Sequence, residues 1–290
     1  YCLLRNTKVG CTLMIKRILL VLDNSKPGIH AQDYAIELAK RYKAHLTGLA
    51  ILDTPWITAA QPEPLGGPAF KIQRDDMVIR QSQERIDVLW SEFKARCANE
   101  KLAFTVQEAE GFPAVEVERL AHEHDIIIVG KTTDFHFDLD EDSDITVKHI
   151  ARDNPRPLLM SPPEYKTTSK VMVAYDGSLQ VARSLHMFLL LGLAKGKEMH
   201  IVSGHKNIDK AEVVAKRAVA MCEAYGVKAQ HHAIDLEGGV AESLLRTLES
   251  LDASILVMGG FSHNILHEAI FGSCTKTLMR ASTVPVFLHH

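Results

Sequence analysis

The sequence predicts an α/β protein built from two tandem, doubly wound, five-stranded parallel sheets. Three observations carry that expectation. Short apolar runs such as Lys16 to Leu22 (KRILLVL) and Ile255 to Met258 alternate with segments of helical periodicity. Strands that are apolar on both faces belong between two layers of helices, as in parallel sheets. The alternation then occurs twice: Asp23 recurs as Asp176, Gly130 as Gly259, and Pro155 to Met160 as Thr283 to Leu288. Between the copies lies Ser161 to Ser169 (SPPEYKTTS), polar and proline-bearing, which reads as a linker. Two copies of alternating strand and helix give two sheets with helices on both faces.

The elements follow in order. Residues 1–13 carry no clear period and read as an upstream extension or remnant, with Met14 as the natural start of the pattern. The first unit spans 14–161, the linker 162–169 and the second unit 170–290. In the first unit, the strand from Lys16 stops at Asp23-Asn24-Ser25, and Pro27 suits the start of a helix carrying Ala31, Ala35, Leu38, Ala39 and Tyr42. His45 to Leu52 is the second strand. Thr54 to Phe70, dense in proline and paired glycine, predicts a long loop. A long helix follows, with Ile79, Ile86, Leu89, Trp90, Phe93 and Cys97 on one face; that spacing makes Trp90 a core aromatic. Then come a strand over Ala103 to Glu108, a helix over Pro113 to His122, a strand from Ile126 ending at Gly130, an acidic loop, a helix near Thr146 to Arg152 and a strand over Pro157 to Met160.

The second unit opens with Lys170 to Tyr175 closed by Asp176-Gly177-Ser178, then a helix carrying Val181, Leu185, Phe188 and Leu189. Strands over Glu198 to Val202 and Lys228 to Ile234 flank a helix over Ala211 to Tyr225. A helix over Ala241 to Leu251, the strand Ile255 to Met258, a helix over Thr275 to Arg280 and the strand Val284 to Leu288 complete it. The shorter spacing in this copy is consistent with loss of the long loop and part of the long helix.

Composition removes several function classes. A net charge of −3 gives no electrostatic case for nucleic acid or an anionic membrane. No apolar run approaches the roughly 18–20 residues of a membrane span. The five cysteines form no C-x-x-C pair, so neither a zinc knuckle nor a dithiol redox site is indicated, and a cytoplasmic protein with reduced thiols is expected.

The stretch richest in chemistry is Ile255 to Ser262 followed by Gly272-Ser273-Cys274-Thr275. An apolar strand ends in Gly259, where the backbone can turn and a ligand can approach closely. Gly272 and Ser273 are expected at a helix start, where free amides point at an anion and the hydroxyls of Ser273 and Thr275 add donors. Asp176 and Gly259 both lie at strand carboxyl ends, where open α/β sheets bind ligands.

These residues resemble the universal stress protein family in its tandem form, from Met14 to the end. The family signature G-x2-G-x9-G-[S/T] appears as Gly259-x2-Ser262-x9-Gly272-Ser273, and the first-strand signature Asp-x-Ser as Asp176-Gly177-Ser178. The resemblance implies the adenine nucleotide alpha hydrolase-like fold and an ATP site in the second unit, with or without Mg2+. Asp176, beside Tyr175, would lie near ribose and adenine, and Val202 would offer backbone groups to adenine. Gly259, Ser262, Gly272, Ser273, Cys274 and Thr275 would hold the phosphates; by position, His263 in the same loop and Met258 before Gly259 are added to the nucleotide-binding set. Ser262 stands where the family has a second glycine; in a left-handed conformation it costs about 1 kcal/mol, and it brings a hydroxyl. The resemblance also implies that the two units pair face to face through their last strands.

The first unit departs further. Its loop from Lys131 to Asp144 carries six acidic residues, offset only by Lys131, and no Gly-Ser pair follows. Like charges at ~4 Å repel by about 1 kcal/mol even in water, so this unit is expected not to bind ATP in the family manner. Asp138, Asp140, Asp142 and Asp144 alternate as at the start of an EF-hand, but Ser143 replaces the required glycine and His149 the required glutamate. A solvated acidic helix start fits better, and no metal ligands are assigned. Fifteen histidines include His231-His232 on one strand, which read as surface or edge residues in the absence of a ligand motif. Asp23 reads as a helix-capping aspartate rather than a phosphoacceptor. Cys274, near an expected helix start that would lower its pKa, reads as a packed or phosphate-proximal thiol.

The expected function is therefore an ATP-binding stress-response module that acts through nucleotide-dependent partner interaction, with an adenine nucleotide, a protein partner and a homodimer as its associations. Two alternatives stand beside it. A low-turnover ATPase would use Asp176 and Lys276, though no P-loop G-x-x-x-x-G-K-[S/T] occurs. The other is an interaction scaffold with both pockets empty or holding another ligand, which the acidic first-unit loop and Ser262 favour.

Overall fold

The computed structural model of the protein describes residues 15–59, 67–133, 135, 144–166, 168–236, 239–260 and 268–289. The first half runs β1 (Arg17–Val21), α1 (Lys26–Tyr42), β2 (His45–Leu52), α2 (Thr54–Ile57), α3 (Gly67–Asn99), β3 (Phe104–Glu110), α4 (Pro113–Ala121), β4 (Ile126–Gly130), α5 (Asp144–Asp153) and β5 (Leu158–Ser161). The second runs β6 (Lys170–Ala174), α6 (Leu179–Leu190), β7 (Glu198–Gly204), α7 (Ile208–Ala224), β8 (Ala229–Ile234), α8 (Val240–Ser250), β9 (Ile255–Gly259), α9 (Glu268–Ala281) and β10 (Val286–His289).

Each half has the expected five parallel strands, in the order 3-2-1-4-5. The two do not form separate sheets meeting face to face. They join edge to edge into one ten-stranded sheet, β3-β2-β1-β4-β5-β10-β9-β6-β7-β8. The seam is β5 with β10, the one antiparallel pairing among the described residues, in the register Leu159↔Phe287. Edge strands expose unpaired backbone groups, and pairing the two last strands removes one such edge from each half.

Alternation along the strands supplies both cores. Ile18 and Leu20 face a cluster with α1, α3, α6 and α7, whereas Leu19 and Val21 face a second cluster with α4, α5, α8 and α9. Phe188 and Phe287 meet edge to face at 5.1 Å beside the seam. Trp90 packs against the first cluster, as its helical position predicts.

Three local differences from expectation have physical causes. Asp53 caps a short helix, α2, inside the proline-rich stretch by accepting from the Trp56 amide at 3.0 Å. Pro55 near the start of that helix loses nothing, because the first amides of a helix have no partner to lose. Ile57 then reaches a small cluster with Ala50, Leu52 and Ile86. The linker is strapped down: Tyr165 donates to Glu37 at 2.7 Å, and Thr168 donates to the Asp252 carbonyl at 2.9 Å. Finally, α9 begins at Glu268, seven residues before the expected Thr275.

Candidate functional site

β6 and β9 are parallel neighbours, so their carboxyl ends share one rim. The chain leaves β6 towards β7 on one side, while β9 borders β10 on the other. The winding reverses between them, which is where open α/β sheets place ligands. Asp176 stands at this rim with its side chain exposed. Its Oδ1 accepts from the Ser178 amide at 2.8 Å, and Ser178 Oγ accepts from the Val181 amide at 3.4 Å, capping α6. Gly177 between them has φ +80, a left-handed turn that glycine adopts without strain. Gly259 closes β9 hard against α6: a β-carbon there would lie 3.0 Å from the Val181 nitrogen.

The first half turns its aspartate inward at the equivalent place. Asp23 is only 1% exposed. Its Oδ1 accepts from both the amide and the hydroxyl of Ser25, at 2.9 and 2.7 Å, and Ser25 Oγ caps α1 by accepting from the Gly28 amide at 3.0 Å. The cap of α1 is thus Ser25, not Asp23 as expected; Asp23 orients the cap. Gly130 presses on Gly28, and Thr133 and Phe135 are buried behind it at 1% and 4% exposure. Lys131, expected to offset the acidic loop, sends its Nζ to the Ser282 carbonyl across the seam at 3.1 Å.

One position separates the two halves. Three residues after the capping serine, the first half has Gly28 and the second has Val181. A β-carbon on Gly28 would lie 1.8 Å from Asp23 Oδ1, so the carboxylate occupies the space a side chain would need. Val181 fills that space and is 1% exposed. The aspartate therefore turns in where residue 28 is glycine and stays out where residue 181 is valine. Sequence reasoning missed this pair; reading the two copies position by position after Asp-x-Ser would have found it.

The other predicted residues are placed as follows. Tyr175 is buried, its amide donates to the Val202 carbonyl at 2.8 Å, and its phenol pKa is raised by burial and by Asp176. Val202 is fully buried and is not the end of its strand, because β7 continues to Gly204. The groups that reach the rim there belong to Gly204 and His205. Met258 is buried under the rim, paired with Leu288. Gly272 and Ser273 do not open a helix. They are the fifth and sixth residues of α9, whose free amides belong to its first turn from Glu268. Cys274 is likewise inside the helix and half-buried. Burial, and then the Asp176 carboxylate, raise its thiol pKa, the reverse of a helix-start effect. Thr275 is buried at 8% exposure. Ser262 and His263 lie outside the described residues, as do Asp138, Asp140 and Asp142 of the acidic loop.

Two clefts lie away from this rim. One of about 710 Å3 is lined by Lys197, Glu198, Glu223, Lys228 and Gln230 at the opposite ends of β7 and β8. Another, about 690 Å3, is lined by Asp33, Glu37, Arg41, Arg96 and Tyr165 beside the linker. Among the described residues, no group of three or more His, Cys, Asp or Glu side chains is arranged to hold a metal ion, and no helix is long and apolar enough to cross a membrane.

Comparison with known proteins agrees with this architecture. The sequence model of the Universal stress protein family matches residues 14–133 and 167–290. A universal stress protein of Synechocystis sp. is 25% identical over 287 residues, covering 94% of this chain and 99% of its own. The crystal structure of a universal stress protein from Archaeoglobus fulgidus superposes with a TM-score of 0.68 at 18% identity, covering 97% of this chain and 98% of that one. A functionally unknown protein from Pseudomonas aeruginosa superposes at 0.55, also at 18% identity, covering 96% and 93%. These two structures share the fold. With one matched segment in each half, the chain belongs to the universal stress protein family in its tandem form.

Proposed function

We propose that the second half binds an adenine nucleotide, ATP with or without Mg2+, and that the chain acts through nucleotide-dependent interaction with a partner. The observation that carries this reading is the contrast between the two aspartates. Asp176 is exposed at the switch point of its sheet, on the rim shared with Gly259, while Asp23 at the equivalent place is buried and hydrogen-bonded inward. A ribose presents hydroxyl donors, and an exposed carboxylate with one hydrogen bond to Ser178 retains acceptor capacity for them. The close approach of Gly259 to α6 leaves the β9 tip free of side-chain bulk, which suits a phosphate held by backbone amides.

Fast turnover is not part of this reading. Phosphoryl transfer draws on a carboxylate for metal, a positioned base and a basic clamp. The rim supplies Asp176 and, on the exposed side of α9, Lys276. The test is to release and identify by mass whatever nucleotide accompanies freshly purified protein. An adenine nucleotide in wild type and its loss in Asp176→Ala support the reading. Nucleotide-free wild type that also fails to take up added ATP contradicts it.

A further inference from the structure

The strand pair at the outer edge of the second half carries a histidine couple that the nucleotide reading does not use. His200 on β7 is 5% exposed, and His232 on β8 lies diagonally across from it, since His200 registers with Gln230 and Val202 with His232. Val202, on the same face, packs in the cluster that contains Leu244 and Leu248 of α8. His200 Nδ1 and His232 Nε2 are 3.0 Å apart, with ring centroids 5.2 Å apart and planes tilted by 33°. For nitrogens 3.0 Å apart, that centroid separation sets both nitrogens nearly on the line between the rings. A metal ion needs two lone pairs converging at an angle. A hydrogen bond needs donor and acceptor in line. This geometry holds a proton.

Charged groups stand on several sides of the pair. His200 Nε2 faces Glu198 Oε1 at 3.4 Å, and that carboxylate also accepts from Gln230 at 3.0 Å. His200 Nε2 makes no hydrogen bond at 3.4 Å, and either nitrogen of the 3.0 Å contact can be its donor. Lys170 on β6 opposes positive charge on His200, and His231 opposes it on His232. On the opposite face, His231 is 3.8 Å from Glu212, which pairs with Lys216 of α7. The charged residues of α8, the helix packed on this face, are Glu242, Arg246 and Glu249.

We propose that His200 and His232 form a proton-counting clasp that fastens the edge strand β8 to β7 and releases it in acid. A first added proton leaves the contact intact, because whichever ring becomes cationic still donates to a neutral neighbour. A second proton leaves an N–H on each side of the contact and no lone pair between them, so the bond is lost and two cations face each other. Burial resists charging of both rings, so the clasp stays closed near neutral pH. An opened clasp exposes unpaired backbone along β8 at the end of the sheet.

Hydrogen–deuterium exchange of the full chain, corrected for intrinsic rates, tests this between about pH 7.5 and pH 4.5, the range that spans histidine titration. The segment 229–234 should lose roughly ten-fold or more of its protection in acid while β1 and β6 keep theirs. His232→Gln retains a donor for His200 Nδ1 but cannot titrate, so it should keep the protection at both pH values. Equal acid loss in wild type and His232→Gln overturns the proposal. If that variant does not fold, ring titration of wild type by NMR decides: two coupled steps shared by both rings support the clasp, and two independent single-step curves overturn it. Protection of the segment by added Zn2+, absent in His232→Gln, also overturns it by making the pair metal ligands.

Discussion

Gly28 lies so close to Asp23 that a β-carbon on it would stand 1.8 Å from the carboxylate oxygen Oδ1. The second half has Val181 at that place, and Asp176 faces outward. The contrast predicts separate behaviour for two substitutions at position 181. Val181→Ala keeps a β-carbon and should leave nucleotide affinity within a few-fold of wild type. Val181→Gly removes it, lets Asp176 turn inward and should weaken binding about ten-fold or more, by analogy with losing a charge-assisted hydrogen bond. Both variants lose core packing, so their difference in affinity, read by titration calorimetry, is the informative quantity.

The strand-tip glycines should differ in tolerance. A β-carbon on Gly130 would meet the Gly28 nitrogen at 2.7 Å, whereas on Gly259 it would meet the Val181 nitrogen at 3.0 Å. Gly130→Ala should destabilise by about 1–3 kcal/mol through overpacking, and Gly259→Ala by less. Urea midpoints at constant slope would show the order.

How much of this was legible in the residues follows from what each element depends on. Strands such as Ile126 to Gly130 are apolar on both faces, so their burial is written locally. The start of α9 was not legible, because glycine at 272 and hydroxyls at 273 and 275 read as a loop and helix cap, yet the helix passes through them. The fates of the two aspartates were not legible from Asp-x-Ser, which both halves share. They depend on a residue five positions later and on the packing of Thr133 and Phe135 across the sheet. Neither unit's own pattern specifies the pairing of β5 with β10: that the last strands meet was expected from the family resemblance alone, and that they join edge to edge into a single sheet was not.

That seam should make the two halves unfold together. Phe287 is fully buried between the Leu159 register partner and the edge of the Phe188 ring. Phe287→Ala should cost about 3–5 kcal/mol and leave a cavity shared by both halves. Calorimetry should give one transition in wild type; two well-separated transitions would contradict a cooperative seam.

Acid should weaken the fold through His124 as well as through the edge pair. His124 is 2% exposed, its Nδ1–H donates to the Leu120 carbonyl at 2.7 Å, and its Nε2 accepts from the Thr47 hydroxyl at 2.9 Å. Burial lowers its pKa below the ordinary 6.5, so the unfolded chain binds the proton more readily. Its contribution is present above about pH 6.5 and is lost as pH falls through the lowered folded value. Urea unfolding at several pH values should show a steeper acid loss in wild type than in His124→Gln.

The most direct test of the central claim is calorimetric titration of ATP into nucleotide-stripped full-length protein. One site per chain, lost in Asp176→Ala and retained in Asp23→Asn, is the result the outward and inward aspartates predict. Two sites, no site, or binding that survives Asp176→Ala and disappears in Asp23→Asn would contradict it.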